Sequence, residues 1–252
     1  MNRAPDPIGC GSSYGEAAAA FDRVQGDYGD QKKRRIVFPL VLERLRCAGG
    51  RAVLDVGCGN GALSRFAGRA GMSIDGIDSS AELIEAACAR DRRLGLRNTY
   101  TCVDVTSGGA APILRRYDVF ASTFAFQDID RPRLVLEALA QGRERPLHLI
   151  VVNESWFALT STLVRHSLPR RVLPNTGSGE ADALSIADWG QGAEAVTYCR
   201  PEAHYRNLFR KAGLVERGFG YHGNSGGAFG IVQRVIPHMR PFWWYAGTLS
   251  AC

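Results

Sequence analysis

The sequence predicts an α/β fold: a doubly wound, mainly parallel sheet with helices on both faces and a terminal antiparallel hairpin. Three observations predict it. Short apolar runs alternate with amphipathic helical segments from about residue 52 to residue 153. The first of those runs ends in a cluster of glycines that opens a helix. Near the end of the chain the pattern changes to two apolar segments separated by a glycine-rich turn.

Residues 1–13 are rich in Gly, Pro and Ser and read as loose chain. Residues 14–25 and 31–46 read as helices; Ile36, Val37, Leu40, Val41, Leu42 and Leu45 fall on one face, with Pro39 near the start or at a kink. Ala52–Val56 is the first strand, Gly61–Ala70 a helix stopped by Gly71, and Met72–Ile77 the second strand. Ser79 and Glu82 have the spacing of a capping box for a helix running towards Arg90. Tyr100–Val105 and Asp118–Ser122 are the third and fourth strands. Asp130 is placed to cap a helix carrying Pro132 and ending near Gly142, and Leu147–Asn153 is the fifth strand. From Glu154 to Ala195 the alternation breaks down, and a connection of that length in a compact domain is usually a binding insert. A helix from Pro201 to Ala212 precedes the hairpin segments Leu214–Tyr221 and Phe229–Ile236.

The chain has 252 residues, enough for one large α/β domain with an appendage. No apolar stretch approaches the length of a membrane helix, and the first residues lack the order of a signal peptide, so a cytoplasmic protein without a membrane partner is expected. Seven scattered cysteines, none in a C-x-x-C pair, read as reduced thiols, and no metal site is expected. A net charge of +6 permits an anionic partner without demanding one, and the run Lys32–Arg35 reads as a solvated helix face more readily than a nucleic-acid patch.

The chemistry concentrates at three strand ends. In Val53-Leu54-Asp55-Val56-Gly57-Cys58-Gly59-Asn60-Gly61 the glycines let backbone groups approach a ligand. Asp78 closes the second strand, where an acid accepts hydrogen bonds from a ribose diol. Asp104 closes the third, within reach of an adenine amino group. A nicotinamide dehydrogenase is the competing reading. Its fingerprint spaces the glycines differently, and Asp55 before the turn would repel a pyrophosphate but suits an ammonium group.

The glycine turn, ribose acid and third-strand acid resemble the nucleotide-binding motifs of class I S-adenosylmethionine-dependent methyltransferases of the small-molecule type. The resemblance covers Arg51–Asn153, and extends to Tyr198-Cys199-Arg200-Pro201, which looks like the late region of ubiquinone-biosynthesis-type enzymes. It implies S-adenosylmethionine as cofactor, S-adenosylhomocysteine as product, and a seven-stranded sheet. It also implies a helical lid over residues 1–50 on a core spanning 51–252, with the insert 154–195 as substrate cap. The cofactor set it implies is Asp55, Gly57, Cys58, Gly59, Asp78, Ser79, Asp104, Val105 and Ser122, joined by Arg35 (or Arg34) as a bidentate partner for the cofactor carboxylate. Many relatives carry His where this chain has Cys199, so that histidine's role does not transfer.

Methyl transfer is an in-line displacement in a site closed to water. The segment Ser122–Asp128 borders the methyl in this family, and it lacks the prolines found in enzymes acting on nucleobases or protein glutamine. Phe124 and Gln127 are expected to wall the pocket, with Tyr14 and Tyr28 from the lid and Trp156 and Phe157 from the insert. His166 and His222 lie on loops and stay in view as bases. Phe242–Tyr245 reads as packing or a contact with a second copy of the chain. The expected activity is methylation of an N or O atom of a small molecule, in secondary metabolism. The alternative is an RNA-directed enzyme or a non-catalytic binder on the same fold.

Overall fold

A computed structural model describes residues 17–49, 52–160, 169–174, 181–190, 193–223 and 236–250. Its centre is a seven-stranded sheet in the order β3-β2-β1-β4-β5-β10-β9. The parallel part comprises β1 (Val53–Val56), β2 (Asp75–Asp78), β3 (Tyr100–Cys102), β4 (Val119–Thr123) and β5 (Leu147–Glu154). Every residue of β1 and β4 is buried, as expected of central strands covered on both faces.

One face of the sheet is closed by α2 (Phe38–Ala48) and α3 (Ala62–Gly68), whose Leu40, Val41, Leu45 and Leu63 pack on Val53, Val119 and Ile150. The other is closed by α5 (Ala111–Leu114), α6 (Pro132–Ala140) and α8 (Glu202–Lys211), where Leu136, Phe209 and Tyr205 meet Phe120, Leu149 and Trp243. Helix α4 (Ala81–Leu94) covers the β2–β3 end.

Two regions add to what the sequence predicts. Among the described residues β9 (Val215–His222) pairs antiparallel with β10 (Phe242–Leu249), which also pairs with β5 along its whole length. Residues 229–235 of the expected partner lie outside the described residues. The aromatic run is what makes β10 a strand: alternate side chains reach opposite faces, so Trp243 and Tyr245 enter one core while Phe242 enters the other. Those three residues are therefore packing within this chain.

The insert also has order of its own. Helix α7 (Trp156–Thr160) leads to an antiparallel sheet of β6 (Arg170–Pro174), β7 (Ala183–Asp188) and β8 (Glu194–Cys199).

Smaller corrections concern helix starts and thiols. The N-cap of α4 is Ser80, one residue later than expected; its Oγ accepts from Leu83 N at 3.3 Å, and the helix reaches Leu94 before Gly95 ends it. Arg131 precedes α6 in place of Asp130, and Pro132 supplies the pre-set backbone angle. Cys47, Cys58, Cys88 and Cys199 are free thiols as expected, but Cys102 is disulfide-bonded.

Candidate active site

The glycine turn joins β1 to α3. Gly57, Gly59 and Gly61 all have positive φ, at 74°, 54° and 78°. A Cβ on Gly57 would stand 2.2 Å from the Cβ of Ala125, and one on Gly61 would stand 2.5 Å from the Tyr100 hydroxyl. The turn is held to β2 by Gly57 N and Cys58 N, which donate to Ile77 O at 2.9 and 3.0 Å.

Three acids surround it. Asp78 accepts from Gly59 N at 2.8 Å and Ser80 N at 2.9 Å, yet burial pushes its carboxyl above the usual range. Asp104 accepts from Thr106 N and Oγ1 at 2.8 and 2.7 Å. Asp55 is buried, and its Oδ1 has no hydrogen-bond partner. Burial drives its carboxyl up to about 7; the Lys33 ammonium opposes the shift and the Asp78 charge adds to it.

These groups line a cavity of about 890 Å³. Of the expected cofactor residues, Asp55, Gly57, Cys58, Gly59, Asp78, Ser79, Asp104 and Val105 face it. Ser122 does not. Its hydroxyl donates to Val56 O at 2.9 Å and ties β4 to β1 behind the cavity. Arg35 is a correction: it and Arg34 are exposed, and Lys33 is the cation in the wall. Residues 33–37 form a π-helical segment ahead of α2, which turns Lys33 inwards and leaves the two arginines in solvent.

A second cavity of about 750 Å³ adjoins the first and shares Phe21, Lys33, Phe124 and Asp128 with it. Its floor is a polar cluster. Arg170 Nη2 and Gln127 Nε2 donate to Glu154 Oε2 at 3.1 and 3.3 Å, and Gln127 Oε1 accepts from Glu154 N at 2.8 Å. Phe124 has φ 63°, the one non-glycine residue with positive φ among those described. Strand β8 is bonded directly to this loop: Thr197 Oγ1 donates to Asp128 at 2.8 Å, and Tyr198 N donates to Gln127 O at 2.8 Å. The insert thus forms a wall of the second cavity, through Arg170, Ala187, Trp189 and Ala195.

Helix α1 (Ala18–Gln25) closes the opposite side. Phe21 lies against Gly59 and packs on Trp189, with ring centroids 5.6 Å apart. Asn60 of the glycine turn donates to Asp22 at 2.8 Å, and Arg90 of α4 bridges Asp22 and Asp27. The lid is tied to both the turn and α4.

Among the expected pocket residues, Phe124 and Gln127 face the second cavity, and Tyr28, Trp156 and Phe157 do not. Tyr28 packs under the Arg69 guanidinium at 4.0 Å. Trp156 is 40% exposed and Phe157 half-buried; α7 is turned away because Trp156 N is bonded to Glu202 of α8 and Ser155 to Arg240 O. Tyr14 and His166 lie outside the described residues, and His222 lines neither cavity. Lys33, Asp128, Glu154, Arg170 and Trp189 escaped the sequence reading. No motif marks them, because they converge from five separate segments.

Residues 53–142 match the methyltransferase domain family. The match covers the glycine turn and both nucleotide acids, and the sheet carries its one antiparallel strand, β10, between β5 and β9. Residues 53–142 carry a methyltransferase domain. A ubiquinone biosynthesis O-methyltransferase of Proteus mirabilis is 32% identical over 124 residues, 47% of this chain and 50% of that one. One from Coxiella burnetii is 24% identical over 71% of this chain and 80% of its own length. The matched part spans about half the length of the first such relatives. Among solved structures, an S-adenosylmethionine-dependent methyltransferase from Clostridium acetobutylicum shares the fold with TM-score 0.61 and 16% identity, over 95% of this chain and 100% of that one. Magnesium protoporphyrin IX methyltransferase from Synechocystis with bound S-adenosylhomocysteine does so at 0.58 and 17%, over 94% and 95%. No helix among the described residues is long and apolar enough to cross a membrane.

Proposed function

We propose that the protein transfers a methyl group from S-adenosylmethionine to a heteroatom of a small molecule, with a hydroxyl oxygen as the favoured acceptor. The observation that carries this reading is the pair of joined cavities. One is built for a nucleoside, and the other opens on it through Phe21, Lys33, Phe124 and Asp128. The names of the relatives support oxygen over nitrogen.

The residues of the first cavity fit the cofactor. Gly57 and Gly59 leave room for its backbone contacts, Asp78 would take the ribose hydroxyls, and Asp104 the adenine amino group. The unpartnered Oδ1 of Asp55 suits the ammonium group. Bound there, S-adenosylmethionine supplies an electrophilic methyl. The chain's own part is to orient the acceptor, exclude water and receive a proton. Phe21, Phe124 and Trp189 offer ring faces to an aromatic or apolar body, while Gln127, Glu154 and Arg170 offer hydrogen bonds to its polar groups. A concave site with aromatic walls favours a small molecule over RNA.

Calorimetric titration with S-adenosylhomocysteine tests the cofactor reading. Asp78→Ala should weaken binding by about tenfold to a hundredfold, the loss of charge-assisted hydrogen bonds to the ribose. Unchanged affinity would remove Asp78 from the site. Tight binding of NADH instead would restore the dehydrogenase. Incubation with methyl-labelled S-adenosylmethionine and fractionated cell extract tests the acceptor: label in the RNA fraction alone would overturn the small-molecule reading.

A further inference from the structure

We infer that Lys33 is the proton acceptor of the reaction, a base that the cofactor's own positive charge switches on. The inference rests on the reading of the two cavities given above.

Four observations converge on this residue. Lys33 is buried, and it is the one cation among the residues shared by the two cavities. A π-helical segment begins at it, a helix form found often at functional sites. Its Nζ lies 5.1 Å from the ring centre of Phe21 and 5.6 Å from that of Phe124, the two aromatic residues at the junction. Four carboxylates bear on it from separate elements: Asp30 ahead of its own helix, Asp55 at the end of β1, Asp128 in the loop after β4, and Glu154 at the end of β5. Lys32 and Arg170 are the other cations in the second cavity. Burial already pushes the Lys33 ammonium down from its usual range, and the carboxylates act against that push.

A methyl group passing between the cavities would leave from their junction, where Lys33 stands. Two like charges in a site closed to water repel strongly, and the ammonium is the one able to lose its charge. Lys33 then releases its proton to solvent as the cofactor binds. Its neutral Nζ takes the proton of the acceptor hydroxyl. The oxygen lone pair forms the new O–C bond, and the C–S electron pair returns to sulfur as a neutral thioether. No positive charge then opposes the Lys33 ammonium, which keeps its proton until the product is exchanged for fresh cofactor.

S-adenosylmethionine and S-adenosylhomocysteine differ in that one charge, so their comparison isolates the effect from contacts to carboxylate, ribose and adenine. Calorimetric titration of each into the whole protein, in two buffers of different ionisation enthalpy, counts the protons released. S-adenosylmethionine should release up to about one proton more than S-adenosylhomocysteine near neutral pH. The difference should vanish in Lys33→Met, which fills the same space without a charge, and in Lys33→Arg, which keeps its charge at any working pH. Both variants should still bind S-adenosylhomocysteine, which also reports that they fold. Equal proton counts in the wild type overturn the inference. So does a difference that survives in Lys33→Met, which would assign the proton to Asp55 or Asp128. If Lys33→Met loses affinity for both ligands equally while the wild-type counts are equal, the residue is a carboxylate anchor instead. Failure of both ligands to bind the wild type would sink the cofactor reading itself, a distinct result.

Discussion

The cofactor cavity and the cavity beside it are walled by different kinds of chain. The first is made where β1, β2 and β3 end side by side, and its key surfaces are backbone: the glycine turn, and the N–H groups that hold Asp78. The second is made of side chains from α1, the loop after β4, β5 and the insert sheet, locked together by Thr197–Asp128, Gln127–Glu154 and Glu154–Arg170. A wall of backbone has almost no tolerance for change, whereas a wall of side chains changes shape with each substitution. That difference fits a site that must always take one cofactor and beside it a site free to specialise.

The comparison breaks most visibly at Gly57. Gly57→Ala combines a left-handed backbone angle with a Cβ placed 2.2 Å from that of Ala125. It should cost about 2–5 kcal/mol of stability, from strain and overpacking together. It should also abolish S-adenosylhomocysteine binding where the protein still folds. Denaturant unfolding with and without the ligand measures both, and a tolerated alanine would show that the turn is free to move.

A second probe uses pH on Asp55. Its carboxyl titrates at about 7 in the folded protein, above its ordinary value of 3.8. The folded state therefore holds this proton more tightly than the unfolded chain. The contribution to stability is full below the ordinary range and is lost as pH rises through about 7. Ionised Asp55 is also the form that would bind the cofactor ammonium. Affinity for S-adenosylhomocysteine should therefore rise about tenfold between about pH 6 and about pH 8. Asp55→Asn should flatten that rise and gain stability at the alkaline end. An unchanged pH profile in the variant would place the titrating group elsewhere.

The smallest expected effect on cofactor binding belongs to the second cavity. Arg170→Met should leave S-adenosylhomocysteine affinity within about twofold, since Arg170 touches Glu154 and Ser185 and lines only the second cavity. It should cost about 1–3 kcal/mol of stability by removing the charged member of the partners of a largely buried carboxylate. A large loss of cofactor affinity would mean that the two cavities are one site energetically.

Local rules carried the first cavity. Glycines at three positive-φ positions, an acid at the end of β2 and another after β3 are each demanded by their own few neighbours, so order along the chain was enough to read them. The same rules failed where a choice lay between adjacent residues of one type. Lys33, Arg34 and Arg35 are equally basic in sequence, and only the π-helical turn decides which one enters the site. They also missed β10, the aromatic segment that the long-range packing of Trp243 and Tyr245 sets between β5 and β9.

The sequence by itself determined the class of fold, the nucleotide-binding turn and the two acids beside it, because strand–turn–helix units are set by contacts close in the chain. Beyond Phe124, Gln127 and the insert as a whole, tertiary structure decided the second cavity. Phe21, Lys33, Asp128, Glu154, Arg170 and Trp189 come from segments as much as 168 positions apart. They meet there because the sheet fixes where its strand ends point, and because the insert and the lid dock on those ends.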